Sequence, residues 1–180
     1  MRPIFTIHAG EFLVADYLER RYAKSCGLRV WVPSKDDGTD LLVTNDLCTK
    51  ALRLQVKFSK DFDHDREYAA SGWWTLDALK ISKSSADYWV FVLPKTEGSK
   101  VYSDCFFVTI PPKDLLCRLK GAHGVRGKYS LYLTIKGGIV IDTRELRKKD
   151  RALLFGRPKG PRNYSPYILG LDQIAKQIVV

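Results

Sequence analysis

Residues 36–60, DDGTDLLVTNDLCTKALRLQVKFSK, leave the chain little choice but to run as two neighbouring strands. A turn closes at Asp40, an apolar run follows, and a short polar turn leads into a second strand over 51–58. Side chains alternate faces along a strand with a period of two. Leu52, Leu54, Val56 and Phe58 therefore share one face, and Arg53, Gln55 and Lys57 share the other. An acid at one strand start, beside an amide and a lysine on the next strand, makes a compact polar cluster. Such a cluster suits a hard divalent cation, which takes one or two carboxylates together with waters and phosphate oxygens. Asp40 supplies a carboxylate and Gln55 a neutral carbonyl oxygen. Lys57 can orient an attacking water or neutralise charge that develops on a phosphate. A β-hairpin with one wet face has the same pattern, so the spacing alone does not choose between the two readings.

Upstream, HAGEFLVADYLERRYAKSCG predicts a helix over 10–25. Phe12, Leu13, Ala15, Tyr17, Leu18, Tyr22 and Ala23 give it a broad apolar face. Gly27 stands where a helix would stop. Glu11 falls in the first turn, where the helix dipole favours an acid. If the helix start abuts the strand pair, Glu11 adds a second carboxylate to the cluster.

The order helix with Glu11, strand, Gly38-Thr39-Asp40, strand with Gln55-Val56-Lys57 resembles the PD-(D/E)xK nuclease superfamily, over residues 8–60 and with a continuation to about 110. That group includes restriction endonucleases, Mrr-like enzymes and Holliday junction resolvases. The resemblance implies an α/β fold of restriction endonuclease-like type, a central mixed β-sheet flanked by helices. It implies catalytic roles for Asp40, Gln55, Lys57 and Glu11, with Asp40, Glu11 and Gln55 around Mg²⁺, or Mn²⁺ in its place. Thr39 replaces the name-giving proline. Gln55 replaces the acid of the E-x-K element and removes one negative charge, a change also seen in Mrr-like members. The expected activity is metal-dependent endonucleolytic hydrolysis of DNA phosphodiester bonds, in restriction or in repair and recombination. The rival reading is a catalytically weakened nucleic-acid-binding module of the same fold. A third is an interaction domain that meets no nucleic acid.

Charge supports a polyanionic partner. Residues 1–100 hold 15 basic and 14 acidic side chains, whereas residues 101–180 hold 15 basic and 6 acidic ones. The surplus gathers in KGAHGVRGK (120–128) and RELRKKDRALLFGRPKGPR (144–162). Lys120, Arg126, Lys128, Arg147, Lys148, Lys149 and Arg151 are the candidate phosphate contacts with DNA. Residues 1–120 read as a nuclease-like core and 121–180 as a basic C-terminal extension packed on the same domain. Cutting two strands favours a homodimer on geometric grounds. No apolar run reaches the ~18 residues of a membrane span, and the N-terminus lacks a signal-peptide core, so a cytoplasmic protein without a membrane partner is expected. Cys26, Cys48, Cys105 and Cys117 have no C-x-x-C pairing and read as reduced, mostly buried thiols.

Along the rest of the chain, strands are expected at 28–32, 40–45, 88–93, 105–110, 129–136 and 139–142, with Gly137-Gly138 as a hairpin turn. An irregular segment is expected at 59–74 and a short helix at 75–83. Further helices are expected from the Pro111-Pro112 pair to about 120, at 144–154, and from 170 with Leu171, Ile174, Ala175 and Ile178 on one face. Residues 156–166 read as a Gly/Pro-rich linker. Asp61, Asp63 and Asp65 start like a calcium loop, but Arg66 and Gly72 stand where that loop needs Gly and Glu. Trp73 and Trp74 read as core, with stacking on bases as the alternative. His8 reads as a capping or surface residue that can reach the cluster.

Overall fold

Strand β3 (Ala51–Phe58) organises the molecule, because it pairs antiparallel with one neighbour and parallel with the other. The computed structural model describes residues 8–23, 27–34, 38–59, 67–95 and 105–179. Strands β1 (Leu28–Trp31) and β2 (Leu41–Asn45) precede β3 as an antiparallel ladder. β5 (Tyr88–Pro94) lies parallel to β3, with Gln55 opposite Trp89 and Lys57 opposite Phe91. β6 (Cys105–Ile110) closes the far edge, giving the order β1-β2-β3-β5-β6. The fold is α/β, with this mixed sheet at its centre and helices flanking it.

One face of the sheet is covered by α1 (Ala9–Leu18) and the C-terminal α5 (Gly170–Val179). Val14 and Leu18 from α1 meet Leu54 and Val56 of β3, and Leu171, Ile174, Ala175 and Ile178 from α5 join the same core. These four α5 residues are the ones its 3.6-residue periodicity marks, and all are buried. A π-helical turn, Glu19–Ala23, continues α1. Residues 24 and 25 of the expected helix lie outside the described residues. Gly10 decides how α1 docks, because a Cβ there would lie 2.7 Å from Phe58 Cβ. Glycine lets the helix start press against the end of β3.

The other face carries a second, three-stranded sheet. Its strands are β4 (Ala70–Asp77), β7 (Lys128–Lys136) and β8 (Ile139–Asp142), in that order. Trp74, Leu76, Leu131, Leu133 and Val140 pack with Trp89, Phe91 and Val108 of the central sheet and with Leu115 and Leu119 of α3 (Pro112–His123). This sheet takes β4 from before residue 120 and β7 and β8 from after it.

Several expected elements differ. Residues 70–74 are strand, not irregular, because β4 pairs with β7 over eight positions from Ala70↔Ile135 to Asp77↔Lys128. Pairing and burial override the weak strand propensity of Ala-Ser-Gly. The helix expected at 75–83 shrinks to α2 (Ala78–Ser82), since Asp77 caps it by accepting from Leu79 N and Lys80 N. The helix expected at 144–154 begins later, as α4 (Lys148–Gly156). Glu145 takes φ 60° there, and Arg144 N bonds back to Asp142, which holds 144–145 as a turn. The 156–166 stretch is no loose linker. Asn163 bridges Ile141, Tyr164 is 1% exposed, and Arg118 lies over the rings of Tyr164 and Tyr167. Cys48 and Cys117 are exposed rather than buried, and Cys105 is half-buried. Residues 61–66, with the rejected calcium motif, lie outside the described residues, as does Cys26. Among the described residues no helix is long and apolar enough to cross a membrane.

Candidate active site

Asp40 stands one residue before β2 and is tied to β3 twice over. Its backbone N donates to Leu54 O at 2.8 Å, and its Oδ2 accepts from Val56 N at 2.6 Å and from Gln55 Nε2. The strand pairing read from the sequence therefore delivers Asp40 directly to the Gln55-Val56-Lys57 segment. Gln55 is 8% exposed, and its Oε1 lies on the side of Gly38. Lys57 extends over Trp89, with Nζ 5.6 Å from the ring centroid, an arrangement that steadies a cation by the ring's quadrupole.

Glu11 comes from the helix start that Gly10 brings against β3. Its Oε2 is 2.8 Å from His8 Nδ1. Glu11, Asp40, Gln55 and Lys57 all line one open cleft of about 1180 Å³. His8 lines it too, and so do Lys80, Lys83 and Lys128. The floor is the central sheet at β3 and β5. The facing wall is the second sheet, at Thr75–Asp77 and Lys128, continued by α2.

The site is electrostatically taut. Burial pushes the Asp40 carboxyl above the ordinary carboxylate range, and the nearby Glu11 charge adds to that. Lys57, Val56 N–H and Gln55 act in the opposite direction. His8 is raised from the ordinary imidazole value by its hydrogen bond to Glu11, helped by Asp40. A cation beside Asp40 and Glu11 would relieve both effects.

The donor set fits a hard divalent cation. It offers two carboxylates beside an open, lysine-lined space, with the Gln55 amide turning Nε2 toward Asp40 and Oε1 toward Gly38, and Mg²⁺ sites commonly use one or two carboxylates with water and substrate phosphates completing the shell. Among the described residues no group of three or more His, Cys, Asp or Glu forms a protein-only cage.

Of the seven basic residues singled out in the C-terminal half, Lys128 lines the cleft. The other six do not line it. Lys120, Arg126, Arg147, Lys148 and Lys149 are exposed elsewhere, and Arg151 is half-buried with Nε on Leu146 O at 3.1 Å. Sequence reasoning missed Lys80 and Lys83. Their three-residue spacing in DALKISKSS was the available signal, hidden by averaging charge over 100 residues. It also missed the His123–Asp142 pair, which is buried away from the cleft, with Nε2 to Oδ2 at 2.6 Å.

No family model matches this sequence, and no curated protein sequence matches it. Among solved structures the chain is similar to a bacterial homing endonuclease, with 17% identity over 96% of this chain and 97% of that one, at a TM-score of 0.37. A likeness that distant carries no argument, and the functional reading rests on the chain's own residues.

Proposed function

We propose that this chain is a metal-dependent endonuclease that hydrolyses phosphodiester bonds in DNA, in restriction or in repair and recombination. One observation carries the reading: Asp40, Gln55 and Lys57, from adjacent strands, share an open cleft with Glu11 and with Lys80, Lys83 and Lys128. Carboxylates that hold a cation, beside lysines that hold a polyanion, are the two requirements of phosphodiester cleavage.

Asp40 and Glu11 would hold Mg²⁺ or Mn²⁺, with the Gln55 side-chain carbonyl as a neutral ligand once its amide turns over. When bound, the ion supplies Lewis-acid polarisation of the scissile phosphate and a water of lowered pKa. The protein's own groups do the rest. Lys57, braced on Trp89, orients the attacking water and stabilises the negative charge that grows on the phosphoryl oxygens. Lys80, Lys83 and Lys128 grip neighbouring phosphates, which positions the strand without reading its sequence. His8 fixes the rotamer of Glu11. Two copies of the chain would cut both strands of a duplex.

The neutral amide at position 55 favours a second reading, a binding module with a weakened metal site. A cleavage assay with Mg²⁺ or Mn²⁺ on plasmid, branched and single-stranded DNA separates the two. Wild type should cut at least one substrate, and Asp40→Ala and Lys57→Ala should each abolish cutting while leaving binding largely intact. A wild type inert on all three substrates would favour the binding module. Equal cutting by Asp40→Ala would assign the activity to another site.

A further inference from the structure

We propose that the open half of the second sheet's outer face is a DNA-docking surface, on which Trp73 and Tyr132 stack an unpaired base of a strand leaving the cleft past Lys128. The inference rests on the nucleic-acid part of the preceding reading and adds the form of the substrate.

Period-two alternation puts Trp73, Thr75 and Asp77 of β4 on one face, opposite Tyr132, Ser130 and Lys128 of β7. Thr75, Asp77 and Lys128 also line the cleft, so cleft and face are one continuous surface. Trp73 lies about 7 Å beyond Thr75 at the usual strand rise of ~3.3 Å per residue. Its ring stacks on Tyr132 at a centroid distance of 6.1 Å and an interplanar angle of 21°, yet it remains 47% exposed.

That exposure is local to one half of the face. Toward β8, the outward-facing Ser71, Thr134 and Ile141 are fully buried, and α4 packs against β8. The fold thus covers half of this face and leaves Trp73 exposed beside the cleft, stacked on the half-buried Tyr132. Trp74, the next residue, points the other way and is 7% exposed. The sequence reading of both tryptophans as core holds for Trp74 alone, because neighbours on a strand face opposite sides.

Charge selects the occupant. A strand crossing from the cleft meets Lys57, Lys80, Lys83 and Lys128. Asp77, the acid among the six face residues, is occupied as the cap of α2. Aromatic faces with flanking cations are the recurrent platform for unpaired nucleic acid, whereas paired bases keep their faces inside the duplex. A strand with single-stranded character, or with a base swung out, fits this surface.

The test measures binding of the full chain, in EDTA, to a labelled single-stranded oligonucleotide and to a hairpin duplex. Trp73→Ala and Tyr132→Ala should each weaken single-strand binding about fivefold to a hundredfold, the range for losing one stacked base. The salt slope should not change, because stacking releases no counterions. Lys128→Ala should flatten that slope. Trp73→Phe, a mild replacement, should keep most of the affinity but lose the tryptophan quenching that wild type shows on binding. Unchanged affinity in both alanine variants overturns the proposal. So does quenching in Trp73→Phe equal to that of wild type, which decides the matter even if the alanine variants fail to fold. A wild type that binds through Trp73 but never cuts would sink the nuclease reading and leave the platform intact.

Discussion

Two aspartates in this molecule join one strand to its neighbour, and their surroundings could hardly differ more. Asp142 ends β8 and is fully buried. Its Oδ1 accepts from Tyr132 N at 3.3 Å and Arg144 N at 3.2 Å. Its Oδ2 faces His123 Nε2 at 2.6 Å and Arg162 Nη1 at 3.8 Å. Asp40 uses only Oδ2 for its two hydrogen bonds among the described residues, to Val56 N and Gln55 Nε2, and it borders an open cleft. The first carboxylate is sealed, with cationic and backbone donors around it. The second is partly desolvated, carries one uncommitted oxygen and lies within reach of a second acid. Local chemistry makes both residues strand-linking acids. Access and partner count make one a structural pin and the other a candidate ligand.

The comparison breaks most visibly under substitution. Asp142→Ala strands His123 Nε2 and the Tyr132 and Arg144 backbone N–H groups in a dry interior, and each buried donor left unsatisfied costs about 1–3 kcal/mol. Asp40→Ala should cost no more than about 1 kcal/mol, since it also removes a disfavoured buried charge. Denaturant unfolding of the two variants measures the gap, and equal losses would erase the distinction.

A smaller effect should come from metal. Mg²⁺ at ten times its dissociation constant would stabilise wild type by about 1.4 kcal/mol through binding to the folded state alone. Asp40→Asn should show no such rise in a thermal shift, and Gln55→Glu should reach its rise at lower Mg²⁺, because a carboxylate is the better hard-cation ligand. A wild-type shift that survives in Asp40→Asn would place the ion elsewhere.

The smallest expected effect lies in pH. The folded Asp40 carboxyl sits above its ordinary value of 3.8, chiefly through burial. The folded state therefore holds its proton longer than the unfolded state does. Stability then falls as pH rises from that ordinary value through the raised one, and stays lowered above it. Measured without metal, Asp40→Asn should gain on wild type across that window and keep the gain at neutral pH. A difference flat with pH would mean Asp40 is solvated like a surface acid, and one of opposite sign would mean that Lys57 and its hydrogen-bond donors outweigh burial.

How much of this was legible in the sequence depended on whether the signal was local. The period-two run Leu52–Phe58 and the apolar stripe of α5 carry their burial in their own spacing, and the turn at Asp40 needed only its neighbouring strand. Glu11 was placed at a helix start, and Gly10 is the feature that lets that start reach β3. Strand β4 was illegible because its pairing partner is β7, far along the chain. His8 looked like a surface residue, and it does remain exposed while holding Glu11. His123 and Asp142 lie 19 residues apart and meet only because α3 folds back over the second sheet. Lys80 and Lys83 were ordinary helix lysines until α2 became part of the cleft wall.

The cleft wall also sets an order of events. The side of the cleft from Asp40 to Lys57 closes through the short β2–β3 hairpin. The facing wall exists only after β4, ending at Asp77, finds Lys128 at the start of β7. Closing so long a loop is slow and entropically costly compared with closing a hairpin. A nascent chain that has emerged only as far as α3 would own its acids and Lys57 but no opposing wall. The ability to hold a strand would arrive only once β7 has been made and has paired with β4.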